Sequence, residues 1–553
     1  MNRLISTGAL LLSLALAGCP AKQATPVPAK APENPTNPTA PAQPETPLAQ
    51  PAQPVAQPQS LTFPQGDAFR DKQPEPSKPR PLQIPPIKVF KLKNGVTAYL
   101  VERPELPTVS MELNFDGGSM NDPKGKEGLA DICMSMMSES TKSLEKIPYD
   151  EALADIASNI STYAGRQTQG VAMSTLSKHF DATFKLYLDT LLQPGFRQED
   201  FDRMVKRQLE SLKQAKGSAG AVAGRVSDAI LFGTKHPFGS IVTDASLESL
   251  TIKDCVDYHA RYIKPKGARL FVVGRMTEAD VRKAMGAQEL AAWKGRAKRS
   301  VRLRHPRSMK GHIFFVNIPD AAQSQIYVMS FGPKRKAKDF FANTLASSIF
   351  GGGFASRLNM NLREDKGYSY GARGGFQYSR DYGEFVASSS VRSDSTWQSV
   401  LEMHNETADM KSGKKPATAE ELSREKNGAI LGLPGRFATS RQVLGAYRGL
   451  VYYGLPLTYY NSYVDKVGAV TLKQVGKSAK RYFEPNKSII LVVGSADSAQ
   501  KKYENGKDVP MVGADGKSVT LLDALTQLAK KGTVGKGPLV VLDPDGKVLE
   551  TRK

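Results

Sequence analysis

Apolar residues fall into the same succession of helical and then strand spacing twice along the chain. Thr251 to Gly274 reads TIKDCVDYHARYIKPKGARLFVVG and Thr471 to Gly494 reads TLKQVGKSAKRYFEPNKSIILVVG; eight of 24 positions are identical at an ungapped offset of 220 residues. In each copy an apolar stripe at helical spacing enters a Pro turn, and a β-branched run ending in Gly follows. That pattern predicts a helix–turn–strand unit. Similar lengths around the two copies predict duplicated halves, at 87–300 and 305–500. In the first half, Val96–Val101 and Val109–Phe115 read as strands around a turn at Arg103-Pro104. Helices are predicted from about Glu127 to Ser138, with Ala130, Met134 and Met137 on one face, and over 182–192 and 199–215. Mixed runs of both kinds point to an α+β fold of two sandwich halves.

Ahead of residue 87 this patterning is missing. Met1-Asn2-Arg3 opens positively, and Ala9–Leu16 is an apolar run of eight residues. A membrane-spanning helix needs about 20, so the run reads as a secretory signal over residues 1–18. Leu16-Ala17-Gly18-Cys19 looks like the lipobox of bacterial lipoproteins, which implies cleavage before Cys19 and a lipid anchor on it. The alternative is an ordinary small-residue cleavage site with an incidental cysteine. Pro20 stands where an inner-membrane retention Asp would sit, so the expected place is the outer membrane, facing the periplasm. Residues 19–86 form a Pro-rich linker: 19 of the chain's 36 prolines lie between Pro20 and Pro86. Such a segment buries too little apolar surface to fold. Fully extended, it would reach on the order of 200 Å.

The 553 residues include 76 Lys+Arg and 54 Asp+Glu, a net charge of +22. With 40% hydrophobic residues, wholesale disorder is excluded. The charge suits acidic peptides or anionic envelope surfaces; nucleic acid is not expected, because no binding motif supports it. Lys334-Arg335-Lys336 and Lys411, Lys414 and Lys415 read as solvated loops. Three cysteines cannot make a disulfide scaffold, and Cys133 and Cys255 are expected as buried thiols.

Several motifs then occur in order. Gly118-Ser119, Pro123 and Gly128-Leu129-Ala130 precede a helix; His236-Pro237-Phe238-Gly239, Phe350-Gly351-Gly352-Gly353, Ser356-Arg357-Leu358, Leu433-Pro434-Gly435-Arg436-Phe437 and Tyr453-Gly454-Leu455-Pro456 follow. Together with both VVG strands they resemble the insulinase/pitrilysin zinc peptidases, and more closely the processing-peptidase branch. The resemblance covers roughly 88–496. Residues 501–553 fall outside it and are expected as a small C-terminal extension, either a subdomain or a family edge, with a helix at Leu521–Ala529 and a hairpin joining 538–542 to Val548-Leu549.

Active relatives carry HxxEH, two His one turn apart that bind zinc and a Glu that activates its water. Here that register reads Asp131-Ile132-Cys133-Met134-Ser135, and the further Glu ligand expected downstream aligns with Ser211, Glu210 being about 100° off round the helix. Asp131 and Glu139 are ~12 Å apart along a helix, too far to share an ion. The six His contain no HxxxH or HxxH pair. No metal or other cofactor is therefore expected in this chain, and no catalytic residue.

The family also places an Arg, and seven residues later a Tyr, in its C-terminal half to hold the substrate backbone. Arg363 and Tyr370 fit, after a Gly351–Gly353 loop whose glycines allow a bound peptide to come close. In isolation Arg363 would as readily pair with a neighbouring acid and Tyr370 be a plain strand residue. Tyr368 fits the spacing less well. The resemblance implies a two-chain arrangement: an HxxEH-bearing family member carries zinc, and this chain, as non-catalytic subunit of the heterodimer, supplies Arg363 and Tyr370 to a peptide or unfolded-protein substrate. The alternative is a peptide-binding or scaffolding envelope lipoprotein with no part in proteolysis.

Overall fold

Two mixed sheets share an order over five strands, and each half of the chain covers the outer face of the other half's sheet. The computed structural model describes residues 83–298, 300–304, 306 and 309–552, all within one unit of the chain. The expected signal, the Cys19 anchor and nearly all of the Pro-rich linker lie outside the described residues.

The first sheet comprises β1 (Lys88–Lys91), β2 (Thr97–Glu102), β3 (Thr108–Asp116), β4 (Asn159–Ala164), β5 (Thr168–Leu176) and β6 (Arg269–Gly274), in the order β1-β2-β6-β3-β5-β4. Only β2 and β6 run parallel. The second sheet contains β7 (Ile313–Asn317), β8 (Gln323–Phe331), β9 (Ser369–Tyr378), β10 (Gly383–Arg392) and β11 (Ile489–Gly494). After these come a separate hairpin, β12 (Lys501–Glu504) and β13 (Lys507–Pro510), and then β14 (Leu539–Leu542) and β15 (Val548–Arg552). The second order is β15-β14-β7-β11-β8-β10-β9. Its last five strands in that order, β7-β11-β8-β10-β9, repeat β2-β6-β3-β5-β4 one for one, down to the parallel pair β7–β11. The sequence repeat is therefore one structural unit used twice. Helix Ile252–Tyr262 leads into β6 and helix Leu472–Tyr482 into β11, each started by a Thr side chain, Thr251 or Thr471, in a reciprocal cap with the third residue on.

The halves differ where the tail ends. The first sheet finishes on β1, antiparallel to β2. In the second, β14 lies parallel to β7 and β15 pairs back onto β14. The 501–553 extension, expected as a small addition after residue 500, is thus built into the second sheet. Its helix Leu521–Lys531 buries Leu521, Leu525 and Leu528 in the same core.

One core lies between each sheet and its own helices. The opposite sheet faces are covered by exchange. Helix Ala219–Phe232 of the first half packs Val222, Val226 and Ile230 on the second sheet, and helix Ser440–Tyr453 of the second packs Val443, Leu444 and Tyr447 on the first. Both VVG strands are therefore covered on two faces, which explains apolar runs without alternation. The exchange is pinned by an ion pair between half-exposed Arg448 and buried Glu112: Arg448 donates from Nη1 to both oxygens of Glu112 (2.9 and 2.8 Å), which also accepts the Tyr163 hydroxyl at 2.6 Å.

The expectation of two buried thiols is corrected. Cys133 and Cys255, 122 residues apart, form a disulfide with their Cα atoms 4.7 Å apart, tying helix Leu129–Met136 to helix Ile252–Tyr262. Sequence spacing carries no trace of this, because the two helices meet only once the first core assembles.

Candidate functional site

The helix bearing the altered zinc register starts sharply. Gly128 takes a left-handed conformation (φ 99°), and the Asp122 carboxylate accepts the backbone N–H of Gly128 and of Ala130, each at 3.0 Å. Burial pushes the Asp122 carboxyl up to about 7, against those two hydrogen bonds. Met134 is fully buried in the first core. Asp131 faces outward with its carboxyl raised above the ordinary range by the protein around it. Ser135 lines a cavity of about 550 Å³ between this helix, helix Gln198–Lys216 and β4, the free edge of the first sheet.

Cations rather than metal ligands face both acids of that cavity, Asp150 being paired with Lys146 at 2.9 Å. Glu139 is paired with Arg203 at 3.1 Å and Arg207 at 3.7 Å, both from helix Gln198–Lys216. Ser211 lies one turn beyond Arg207 and is exposed, as is Glu210. The donor set at the register is therefore one carboxylate, a buried thioether and two hydroxyls, while the only nearby sulfur with ligand chemistry, Cys133, is in a disulfide. These residues do not fit a zinc ion, which needs three or four His, Cys or carboxylate donors. Among the described residues no group of three or more His, Cys, Asp or Glu could hold a metal.

The second half presents a different surface. Residues Met360–Asp365 form one turn of π-helix that carries Arg363, and such turns are frequent at functional sites. Arg363 is exposed; it pairs with Glu364 at 3.1 Å, and its guanidinium lies 4.8 Å from the centre of the exposed Phe354 ring. Tyr370 stands at the start of β9, the free edge of the second sheet, and is 88% exposed. Tyr368 is excluded from such a role. It is buried, and its hydroxyl donates to Asp508 of the β12–β13 hairpin at 2.9 Å.

Backbone packing accounts for two of the three loop glycines. A Cβ on Gly351 would come 2.3 Å from the backbone N of Gly374 in β9, and one on Gly352 would come 2.6 Å from Ser348 Cα. At Gly353 an added Cβ would meet nothing within 4 Å, so a side chain could be added there without a clash. Its carbonyl accepts the Ser356 hydroxyl at 2.6 Å and Arg373 at 3.3 Å. Buried Asn359 fixes the loop to the strand, donating to the Phe354 carbonyl (2.7 Å) and accepting the Ala372 N–H (3.0 Å). The glycine loop, Arg363, Phe354, Arg373 and Tyr370 therefore border one sheet edge. Phe354 and Arg373 carried no signal in the sequence, being ordinary residues whose place comes from the loop and the strand edge.

In the two basic runs Lys334, Lys336, Lys414 and Lys415 are exposed, as expected, while Arg335 and Lys411 are partly buried. Lys411 reaches the carbonyls of Lys480 and Phe483 and the acid of Glu484, and Lys415 pairs with Glu406 and Asp409, so these lysines close the end of a helix. Arg335 is half-buried among aromatic rings.

Known proteins agree with this architecture. The family described as insulinase (peptidase family M16) matches residues 97–231, and the one described as peptidase M16 inactive domain matches 249–429. A Helicobacter pylori protein named as the non-peptidase homolog YmxG is 20% identical over 401 residues, covering 70% of this chain and 90% of that protein. A second protein of that organism, named as the zinc protease PqqE, is 20% identical over 201 residues, 36% of this chain and 45% of its own length. The crystal structure of a peptidase M16 inactive domain from Pseudomonas fluorescens superposes with a TM-score of 0.69 at 22% identity, covering 76% of this chain and all of that one.

Proposed function

The chain belongs to the insulinase (M16) peptidase family as a homologue without peptidase function of its own, and from that premise we propose that it is the substrate-holding subunit of a two-chain zinc peptidase. One observation carries the reading: the register of the zinc motif holds Asp131, Met134 and Ser135 with Ser211 downstream, while Arg363 and Tyr370 stand exposed beside a glycine loop at a free sheet edge. A guanidinium and a phenol can donate hydrogen bonds to a peptide carbonyl and, more strongly, to the oxyanion formed when water attacks it. An extended peptide would add to the unpaired edge, where main-chain bonds give affinity and side chains give selectivity. The partner is a family member with HxxEH, which supplies the zinc. That Helicobacter pylori has one relative named as a non-peptidase homologue and another named as a zinc protease supports such a division of labour.

The same proposal places the body in the cell envelope, anchored through a lipid on Cys19 to the outer membrane, on its periplasmic side. The Cys133–Cys255 disulfide supports an oxidising compartment.

The experiment is reconstitution with the HxxEH protein recovered by mild-detergent pull-down from the native envelope. Arg363→Ala should lower partner-dependent cleavage by roughly 100-fold, the cost of one oxyanion donor, with an unchanged melting curve. Unchanged cleavage would remove the role given to Arg363. Recovery of the chain without such a partner would instead make it a peptide-binding scaffold.

A further inference from the structure

A second cavity, of about 590 Å³, opens in the C-terminal half between helix Phe340–Gly351, helix Ala419–Leu431, helix Ser440–Tyr453 and the Tyr459–Ser462 turn. That volume is typical of small-ligand sites. Its walls are aromatic, with Phe341, Tyr453, Tyr460 and Tyr463 among them; it holds two guanidinium groups, Arg335 and Arg436, and no carboxylate lines it.

Arg335 is held flat. Its guanidinium carbon lies 3.7 Å from the centre of the Phe340 ring, 5.1 Å from that of Tyr459 and 5.5 Å from that of Tyr453. Neither arginine has a carboxylate partner among the described residues. A stacked guanidinium keeps its donor edge free for a planar anion.

Gly445 and Gly449 sit one turn apart inside helix Ser440–Tyr453, where glycine weakens a helix relative to alanine. A Cβ at either position would meet nothing within 4 Å, so no close approach within the chain calls for glycine there. What the two glycines do is hold the cavity wall back. Tyr459 adds a second polar group at the same place. It is only 8% exposed, it lines the cavity, and its hydroxyl has no well-formed hydrogen bond, the Arg335 guanidinium being the polar group beside it. Buried hydroxyls are rarely left so.

We propose that this cavity binds a carboxylate borne on an aromatic or bulky aliphatic group, as at the C terminus of a peptide: the carboxylate lies against Arg335 and Arg436, and the side chain fills the space left by Gly445 and Gly449 among the rings. The site is independent of Arg363 and stands whether or not that residue touches substrate.

The test is saturation-transfer NMR with competition titration on the mature chain. N-acetyl-phenylalanine is the ligand, N-acetyl-phenylalaninamide the uncharged control and inorganic phosphate the anion without an apolar group. The acid should bind with Kd on the order of a millimolar or tighter. The amide should bind at least tenfold more weakly, for loss of a charge-assisted pair. Phosphate should not compete at equal concentration. Arg335→Gln and Gly445→Leu should each weaken the acid at least tenfold, Gly445→Leu without lowering the melting temperature, and Arg363→Ala should change nothing. Equal binding of acid and amide, absence of acid binding, or wild-type affinity in Gly445→Leu would overturn the proposal. If Arg335→Gln fails to fold, Gly449→Leu supplies the second variant.

Discussion

Removing the disulfide should cost the protein much of its margin against unfolding. The bond closes a loop of 122 residues. In the chain-entropy account, closing a loop of that length restricts the unfolded state by about 5 kcal/mol. Both sulfurs are buried and both helices belong to the first core, so the native state has little to gain from release. For the roughly 470 residues that the structure describes, an unfolding entropy of about 1 kcal/mol per degree turns that loss into a fall in Tm of about 5 °C. The assay is thermal melting by circular dichroism of the chain from Pro20 onward, with and without dithiothreitol, beside Cys133→Ala/Cys255→Ala. Reductant should lower the wild-type Tm to near that of the double variant, and the double variant should not respond to it. The reasoning is refuted if wild type melts identically with and without reductant, or if two thiols react with Ellman's reagent in the unreduced, unfolded chain.

Other consequences follow from single contacts. Arg448→Met leaves the buried Glu112 carboxylate with only the Tyr163 hydroxyl and should cost about 1–3 kcal/mol, since water reaches the half-exposed Arg448 side; adding Glu112→Gln should recover part of it in a double-mutant cycle, and simple additivity would argue against a direct pair. Burial, reinforced by Asp228 and opposed by Arg166, pushes Glu384 from 4.5 up to about 7. The folded state therefore holds this proton more tightly than the unfolded one. Its contribution is full below pH ~4.5 and is lost as pH rises towards ~7, by about 3 kcal/mol at most. Glu384→Gln should thus gain stability relative to wild type across that interval, and parallel stability–pH profiles would show the proton to be elsewhere. Because the altered register does not fit zinc, EDTA should leave the Tm unchanged within about 1 °C, a small fraction of what loss of a bound structural ion would produce; a clear fall would reveal a metal.

Whatever depends on local pattern or on the identity of single residues can be read along the chain alone. The 220-residue repeat, its helix–turn–strand content and the edges of β2 and β3 follow from periodicities that each segment carries alone. The loss of the zinc site is of the same kind, since no fold can give Ser135 a histidine's imidazole or Met134 a glutamate's carboxylate. Motif order was enough for the family. The tertiary structure decided what arises between segments far apart in the chain. Cys133 meets Cys255 across 122 residues, Arg448 reaches Glu112 across 336, and Asp508 of the tail takes the hydroxyl of Tyr368. Strand β14 of the tail joins β7, and β15 folds back onto it, because a sheet edge was open there, which is a property of the assembled half and not of residues 539–552. Arg335 looked like one cation in a basic run, yet three rings from separate elements hold it in a cavity. Periodicity tells a side chain which way to face; only the packed neighbours settle what it faces.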